Sequence, residues 1–377
     1  MDLHALLALS VENHASDIHI KAGSPPYLRV DGTLFEADFP RLSPTDVVEI
    51  AFSLMDEKQA REFHDTNESD FAYSVAGLGR FRANIFKQRG TIGISIRRVL
   101  TKKIPTFEEL GLPPVLKRIA EEARGLVLIT GPTGSGKTTT TASMIDFVNE
   151  TQRLNIVTIE DPIEILHVDK KCIIHQREIG SDTDSYREAL RHVTRQDPDI
   201  IVIGEMRDVE TVTSAMNIAM TGHLVVSTFH TQDTTETVNR MIDFFPPTQQ
   251  KQVRITMTST LAGVISQLLL PRCDGGGRVP AVEVMVMNGR LAECLLNEEP
   301  TSVMREIIAD GEFYGMQTFN QSLATLVHRR VISQELAMTV SSLPDELAEM
   351  IARGAGVVTT TATGGNMPPP ANVARRA

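Results

Sequence analysis

The stretch "GLVLITGPTGSGKTTTTASMIDFVNE", residues 125 to 150, constrains this chain more than any other. It begins as a short apolar run, passes through three glycines within six residues, and continues as a helical pattern. Gly131 to Thr138 satisfies G-x-x-x-x-G-K-[ST] in the setting where that motif is meaningful, after a strand and before a helix. Glycines in such a loop let backbone N–H groups turn toward phosphate oxygens at the helix N-terminus. Lys137 adds a point charge at the β/γ-phosphates, and the Thr138 hydroxyl can hold Mg²⁺. Gly131, Thr133, Gly134, Ser135, Gly136, Lys137, Thr138 and Thr139 are therefore the candidate nucleotide-binding residues.

From about residue 120 the chain alternates short apolar runs with helical segments. "GLVLIT", "NIVTIE", "DIIVIG" and "LVVSTF" read as buried strands. Their spacing predicts a mostly parallel α/β sheet covered on both faces. Ligands of such sheets bind beyond the carboxyl ends of the strands, so the residues just past each run are the ones to weigh. "DPDIIVIGEMRD" ends in Glu205, with Gly204 where the common second nucleotide-binding strand carries an Asp. Glu205 is placed to act on metal-bound water or to polarise an attacking water. "IVTIEDPIEILH" supplies Glu160, Asp161 and Glu164. Acids crowded at one strand end repel unless a cation or water network shares them, and Mg²⁺ would supply that cation. The residues alone do not rank Glu164 above Glu160.

"TGHLVVSTFHT" sets His223 and His230 at the two ends of an apolar run. Seven strand steps separate them by roughly 20 Å and turn them to opposite faces, so they cannot share one metal ion. His230 is expected at the same carboxyl edge as Glu205, where an imidazole can sense the γ-phosphate. His223, after Thr221 and Gly222, is expected at a turn or an inter-subunit contact.

The first hundred residues read as α+β: a helix, strand-like "SDIHIKAG" and "YLRVDGTLF", and a helical segment opened by Ser43 and Asp46 at capping-box spacing. "FAYSVAGLGRFRANIFKQRGTIGISIRRV" alternates in two runs around Arg89-Gly90, which predicts a meander. Phe81, Ala83 and Ile85 share one face with Ile92, Ile94 and Ile96. The opposite face gathers Arg80, Arg82 and Arg97. Prolines 105, 113 and 114 mark a linker over 101–117. The second domain then spans 118–352, and the low-complexity tail 353–377 reads as disordered.

The net charge of −11 disfavours a broad nucleic-acid-binding surface. Cys172, Cys273 and Cys294 are isolated, which supports neither a disulfide framework nor a zinc ribbon and suits a reducing cytoplasm. "ITMTSTLAGVISQLLLP", the longest uncharged stretch, carries too many hydroxyl and amide side chains for a membrane span and reads as a core or interface helix.

In order along the chain, "ASDIHI", "GRFRANIF", "GPTGSGKTTT", "IEDPIE", "RQDPDIIVIGEMRD", "TGHLVVSTFHT" and "GMQTFNQSL" resemble the type IV pilus twitching-motility ATPases, the retraction group of the secretion ATPase superfamily. The resemblance runs from residue 1 to about 330. It implies a PAS-like α+β domain over 1–100, followed by a RecA-like P-loop ATPase domain, and assembly into a homo-hexamer using ATP and Mg²⁺. Glu164 matches the catalytic acid of the acidic box and Glu205 the second-strand glutamate, while His223 and His230 match the histidine box. Arg80, Arg82 and Arg97 match N-domain arginines that approach nucleotide phosphates, and Arg195 and Arg207 are candidates to transmit the nucleotide state. The implied partners are an inner-membrane pilus platform protein and, indirectly, pilin. The implied location is the cytoplasm, at the inner face of the membrane.

Extension and secretion members usually add a longer N-terminal region and a four-cysteine zinc element, and this chain carries neither. One departure is local: where retraction enzymes usually read "AIRNLIRE", this chain reads "GRLAECLLNEEP", Gly289 to Pro300. The competing readings are an accessory or extension-type motor, a non-hydrolysing nucleotide switch at the pilus base, and a RecA-like nucleic-acid motor.

Overall fold

The computed structural model of the chain describes residues 2–30, 32–99 and 103–354. The tail expected over 353–377 lies outside the described residues from 355 onward.

The first domain opens with the helix Leu3–Glu12, capped by the Asp2 carboxylate. Strands β1 (Asp17–Lys21), β2 (Tyr27–Val30) and β3 (Thr33–Glu36) follow, then the helices Pro44–Leu54 and Glu57–Thr66. Ser43 and Asp46 form the expected capping box. The run from residue 68 contains three strands, not two: β4 (Glu68–Val75), β5 (Gly79–Gln88) and β6 (Thr91–Val99). The additional turn uses Gly77 and Gly79, both at positive φ, in a stretch where the apolar alternation barely breaks. Arg89 and Gly90 are both left-handed, as a two-residue hairpin turn of type I′ demands. The sheet order is β3-β2-β1-β6-β5-β4, antiparallel throughout. Phe81, Ala83, Ile85, Ile92, Ile94 and Ile96 are buried in this domain's own core, beneath the helices.

The second domain is built on β7 (Gly125–Thr130), β8 (Asn155–Glu160), β9 (Ile173–Glu178), β10 (Ile200–Ile203), β11 (Leu224–Phe229), β12 (Leu261–Pro271) and β13 (Arg278–Val286). Their order is β13-β12-β7-β11-β10-β8-β9; neighbours are parallel except for β12 and β13. Alternate residues of β7 serve separate cores, Leu126 and Leu128 on one face and Val127 and Ile129 on the other. That two-sided burial is why these strands read as unbroken apolar runs.

Two expectations change. Most of the segment expected as linker belongs to the second domain: Phe107, Leu112, Val115 and Leu116 are buried against Ile145 and Val148. The uncharged stretch expected as one helix divides at Thr260, where the helix Pro247–Thr260 gives way to β12. β12 lies between β7 and β13, and its backbone hydrogen bonds to both neighbours outweigh the helical preference of its leucines.

Topology sets the site. The carboxyl ends of β7, β8, β10 and β11 lie along one edge, and they carry the glycine loop, the acidic segment, Glu205 and His230.

Candidate active site

The glycine loop leads into the helix Lys137–Thr151, whose cap residue Gly136 is left-handed and makes no side-chain cap. The first N–H groups of any helix lack intrahelical partners, so these face outward as anion donors. A Cβ at Gly131 would lie 2.3 Å from the Gln267 carbonyl oxygen, so only glycine fits there. Thr133, Gly134 and Thr138 are exposed, whereas the Ser135 hydroxyl is buried without a protein partner. The loop thus offers the donors that a polyphosphate requires.

Lys137 folds back over the loop, and its Nζ donates to the carbonyls of Gly131 at 2.8 Å and Pro132 at 3.1 Å. Burial pulls its pKa below the ordinary lysine value, while the charges of Glu205 and Glu164 work in the opposite direction. His230 stands beside it, Nδ1 3.4 Å from Lys137 Nζ and Nε2 3.3 Å from Glu205 Oε2. The other Glu205 oxygen pairs with Arg207. Lys137, His230 and Glu205 therefore form a line across the ends of β7, β11 and β10, which are neighbours in that order.

Gly204 also has a steric reason. A Cβ there would meet Tyr186 Oη at 2.7 Å, so a side chain at this position would have to displace that hydroxyl, and the carboxylate comes one residue later at Glu205. Burial, with Asp161, Glu205 and Glu160 nearby, raises the Tyr186 pKa and keeps this hydroxyl protonated.

The acidic segment divides in two. Glu164 and Asp161 are exposed and line a cavity between the domains. Glu160 turns inward, accepting hydrogen bonds from Thr158 Oγ1 at 2.6 Å and Gln176 Nε2 at 3.1 Å. Burial raises its pKa, and both of these hydrogen bonds fall on Oε1, which sets Glu160 apart from the exposed Asp161 and Glu164 as a metal ligand. Among the described residues no three His, Cys, Asp or Glu side chains are arranged to hold a metal ion. A Mg²⁺ ion here would depend on phosphate oxygens together with one or two protein ligands, which is its usual habit in nucleotide sites.

The cavity has a volume of about 1020 Å³ and is lined by Arg80, Arg82 and Arg97 on one side and Asp161, Glu164 and Thr139 on the other. Each arginine has an acidic partner. Arg82 pairs with Asp70 at 2.6 Å and Arg97 with Asp17 at 2.9 Å. Arg82 is half exposed and Arg97 is 74% exposed. The Arg82–Asp70 pair is open to solvent on both sides and contributes only about 0–1 kcal/mol, so Arg82 can change partner cheaply. Asp17 is only 10% exposed, but it also accepts from Ser16 Oγ and lies 3.8 Å from Arg29, so it keeps partners if Arg97 swings away. Arg80 differs. It pairs with Glu178 of the second domain at 2.7 Å, at 16% and 4% side-chain exposure. Breaking a buried pair costs about 3–5 kcal/mol, which sets Arg80 apart from the phosphate-approaching role that resemblance implied.

His223 is not brought to the loop. It stands at the opposite end of β11, its Nδ1 3.1 Å from both the Ile218 carbonyl and Thr221 Oγ1. It therefore takes no part in the glycine-loop site of its own chain.

Gln267 was not singled out by sequence reasoning. Its Nε2 donates to the Ser135 carbonyl at 2.6 Å, and its Oε1 accepts from Thr140 Oγ1 at 2.9 Å, so it braces the glycine loop from β12. The available signal was an amide within an otherwise apolar run, "LAGVISQLLLP".

The sequence profile of the family described as Type II/IV secretion system protein matches residues 2–359. The "Type IV pilus retractation ATPase PilT" of Pseudomonas aeruginosa is 43% identical over 345 residues, covering 92% of this chain and 99% of that protein. The "Type IV pilus ATPase PilU" of the same organism is 40% identical, covering 94% of this chain and 92% of its own length. Among solved structures, one titled "Crystal Structure of the Pilus Retraction Motor PilT and Bound ADP" superposes with a TM-score of 0.83 at 44% identity, covering 93% of this chain and 100% of that one. The Legionella pneumophila ATPase DotB gives 0.79 at 27% identity, covering 90% and 94%. A family match over nearly the whole chain, and a glycine loop whose lysine meets His230, which in turn meets Glu205, place the chain in the type II/IV secretion system protein family, in its pilus-retraction group.

Proposed function

We propose that the chain hydrolyses ATP as a ring of six copies, and that the resulting motion acts on an inner-membrane platform protein so that pilin leaves the pilus base. The observation that carries this reading is the line Lys137–His230–Glu205 at the glycine loop. The 43% identity along nearly the full length of a named pilus retraction ATPase supports the choice of work.

The loop amides and Lys137 would bind and orient the triphosphate. Mg²⁺, when bound with it, would neutralise phosphate charge, held by the Thr138 hydroxyl with Asp161 or Glu205 as the available carboxylates. Glu164, exposed on the cavity, would take a proton from the attacking water. His230, in contact with both Lys137 and Glu205, would carry the state of the γ-phosphate from β7 to β10. Arg82 and Arg97 would approach the phosphates across the cavity when the domains close, and stabilise charge there. Among the described residues no helix is long and apolar enough to cross a membrane, so attachment to the inner face of the membrane would come through partners.

Steady-state phosphate release tests the chemistry: wild type should turn over ATP, and Lys137→Ala should abolish turnover and weaken nucleotide binding. Absence of turnover in the wild-type chain with nucleotide bound would instead support a nucleotide switch. A second reading, an accessory motor, is favoured by the departure at Gly289 to Pro300 from the segment that retraction enzymes usually carry. Gene deletion separates the two. Lost twitching with excess surface pili supports the principal motor, and retained twitching supports the accessory one.

A further inference from the structure

The segment that carries Glu164 is held on both sides by the strand beside it. Gln176 and Glu178 are two apart on β9, so their side chains leave the same face. Glu178 Oε2 accepts from the Ile163 amide at 3.0 Å. Gln176 Nε2 donates to the Ile165 carbonyl at 2.9 Å, and its Oε1 accepts from the His167 amide at 2.8 Å. The residues flanking Glu164 are thus tied to β9, while Glu164 itself faces the cavity. The Glu178 oxygen that holds Ile163 is also the one that accepts from Arg80 Nη2 at 2.7 Å, from a residue of the other domain.

We infer that Gln176 and Glu178 are positioning residues for Glu164, and that the Arg80–Glu178 ion pair makes this positioning depend on docking of the first domain. The inference rests on the proposed ATP hydrolysis with Glu164 at the reaction. Its physical basis is the burial of Glu178. With Arg80 in place the carboxylate is compensated and one oxygen serves both donors. When the first domain withdraws, a buried lone carboxylate must find water or another donor, and Ser181 Oγ is already 3.4 Å from its other oxygen. The Ile163 amide then loses its anchor and the backbone before Glu164 is released. Glu164 is then held from one side only, by the Gln176 ties to Ile165 and His167, and is fully positioned only while the domains are together.

Full-length variants test this by kcat and KM for ATP hydrolysis, by nucleotide affinity, and by hydrogen exchange at the amides of residues 163–167. Glu178→Gln keeps an acceptor but loses the charge, and Gln176→Leu removes the second tie without touching Arg80. Each should lower kcat about tenfold or more, since small misplacements at a reacting centre are costly, with nucleotide affinity nearly unchanged. Arg80→Met should do the same, Arg80→Lys should restore most of the loss, and the double variant Arg80→Met/Glu178→Gln should be no worse than the poorer single one. Arg80→Met should also speed exchange at residues 163–167, a readout independent of turnover.

Wild-type kcat in both Glu178→Gln and Gln176→Leu, or losses that simply multiply in the double variant, would overturn the inference. So would unchanged exchange in Arg80→Met. A wild-type chain that binds but does not hydrolyse ATP would defeat the proposed function alone, and exchange would still decide whether Arg80 holds this segment.

Discussion

His230 Nε2 lies 3.3 Å from Glu205 Oε2, while the other nitrogen of the same ring lies 3.4 Å from Lys137 Nζ. One imidazole therefore touches both the lysine of the phosphate loop and the carboxylate of the second nucleotide strand. A change at either end reaches the other through a single rigid ring.

Glu205→Gln should bind nucleotide with nearly wild-type affinity and lose turnover by about 10² or more, because the amide keeps the shape but not the charge or basicity. Fluorescent-nucleotide binding and phosphate release on the same preparation check this. Turnover at the wild-type rate would remove Glu205 from the reaction.

His230→Phe keeps an aromatic ring, somewhat larger than imidazole, and breaks both polar contacts. Nucleotide binding should persist, while single-turnover hydrolysis slows about tenfold or more. If hydrolysis is unaffected, the ring is a structural spacer between β7 and β10.

Arg97→Ala removes one partner of Asp17, a carboxylate only 10% exposed that keeps Ser16 Oγ and Arg29 as neighbours, so the thermal midpoint should fall modestly while the fold persists. Turnover should fall at least about tenfold, with Arg82→Ala similar, because an arginine aimed at the γ-phosphate acts mainly in the transition state. Normal turnover in both would reduce this face to solvated surface.

Gln267→Leu leaves the Ser135 carbonyl and the Thr140 hydroxyl without their buried partner. A loss of about 1–3 kcal/mol in stability is expected, with weaker nucleotide binding because the loop is no longer braced. Calorimetric titration of ADP into the variant measures the second effect; unchanged affinity would show that the loop holds its shape unaided.

Burial lowers the His167 pKa to about 4, an effect partly opposed by the Asp146 charge. The unfolded imidazole titrates near 6.5, so between those values the unfolded chain binds a proton that the folded chain refuses. Stability therefore falls on acidification, by about 2 kcal/mol between neutral pH and pH 5. His167→Asn should remove this component, read as a smaller loss of urea midpoint from pH 7.5 to 5. Equal losses in variant and wild type would assign the acid sensitivity elsewhere.

Much of the site was legible because its residues lie on local patterns. The glycine loop declares itself through spacing, and the strands through β-branched runs with Glu205 and His230 just past their ends. The alternation around Phe81 correctly placed Arg80, Arg82 and Arg97 on one face. β12 was not legible, because "LAGVISQLLLP" suits a buried helix and a central strand equally until its neighbours are known. Gln176, Glu178 and Gln267 were missed for a related reason: each acts on a segment far away in sequence, so no local spacing marks it.

The amino-acid sequence by itself determined the parallel sheet, the phosphate loop and the carboxyl edge as the place of chemistry, since period and glycine spacing are properties of neighbouring residues. Only the tertiary structure decided which groups meet. In sequence the order is Lys137, Glu205, His230; in space it is Lys137, His230, Glu205, because β11 pairs with β7 on one side and β10 on the other. The same holds for the three arginines, alike in sequence pattern. Arg82 and Arg97 keep partners within the first domain and remain exposed, while Arg80 is buried against Glu178 of the second. Burial, which no single sequence displays, makes one of them a fixed joint between the domains and leaves the guanidinium groups of the other two open to the cavity.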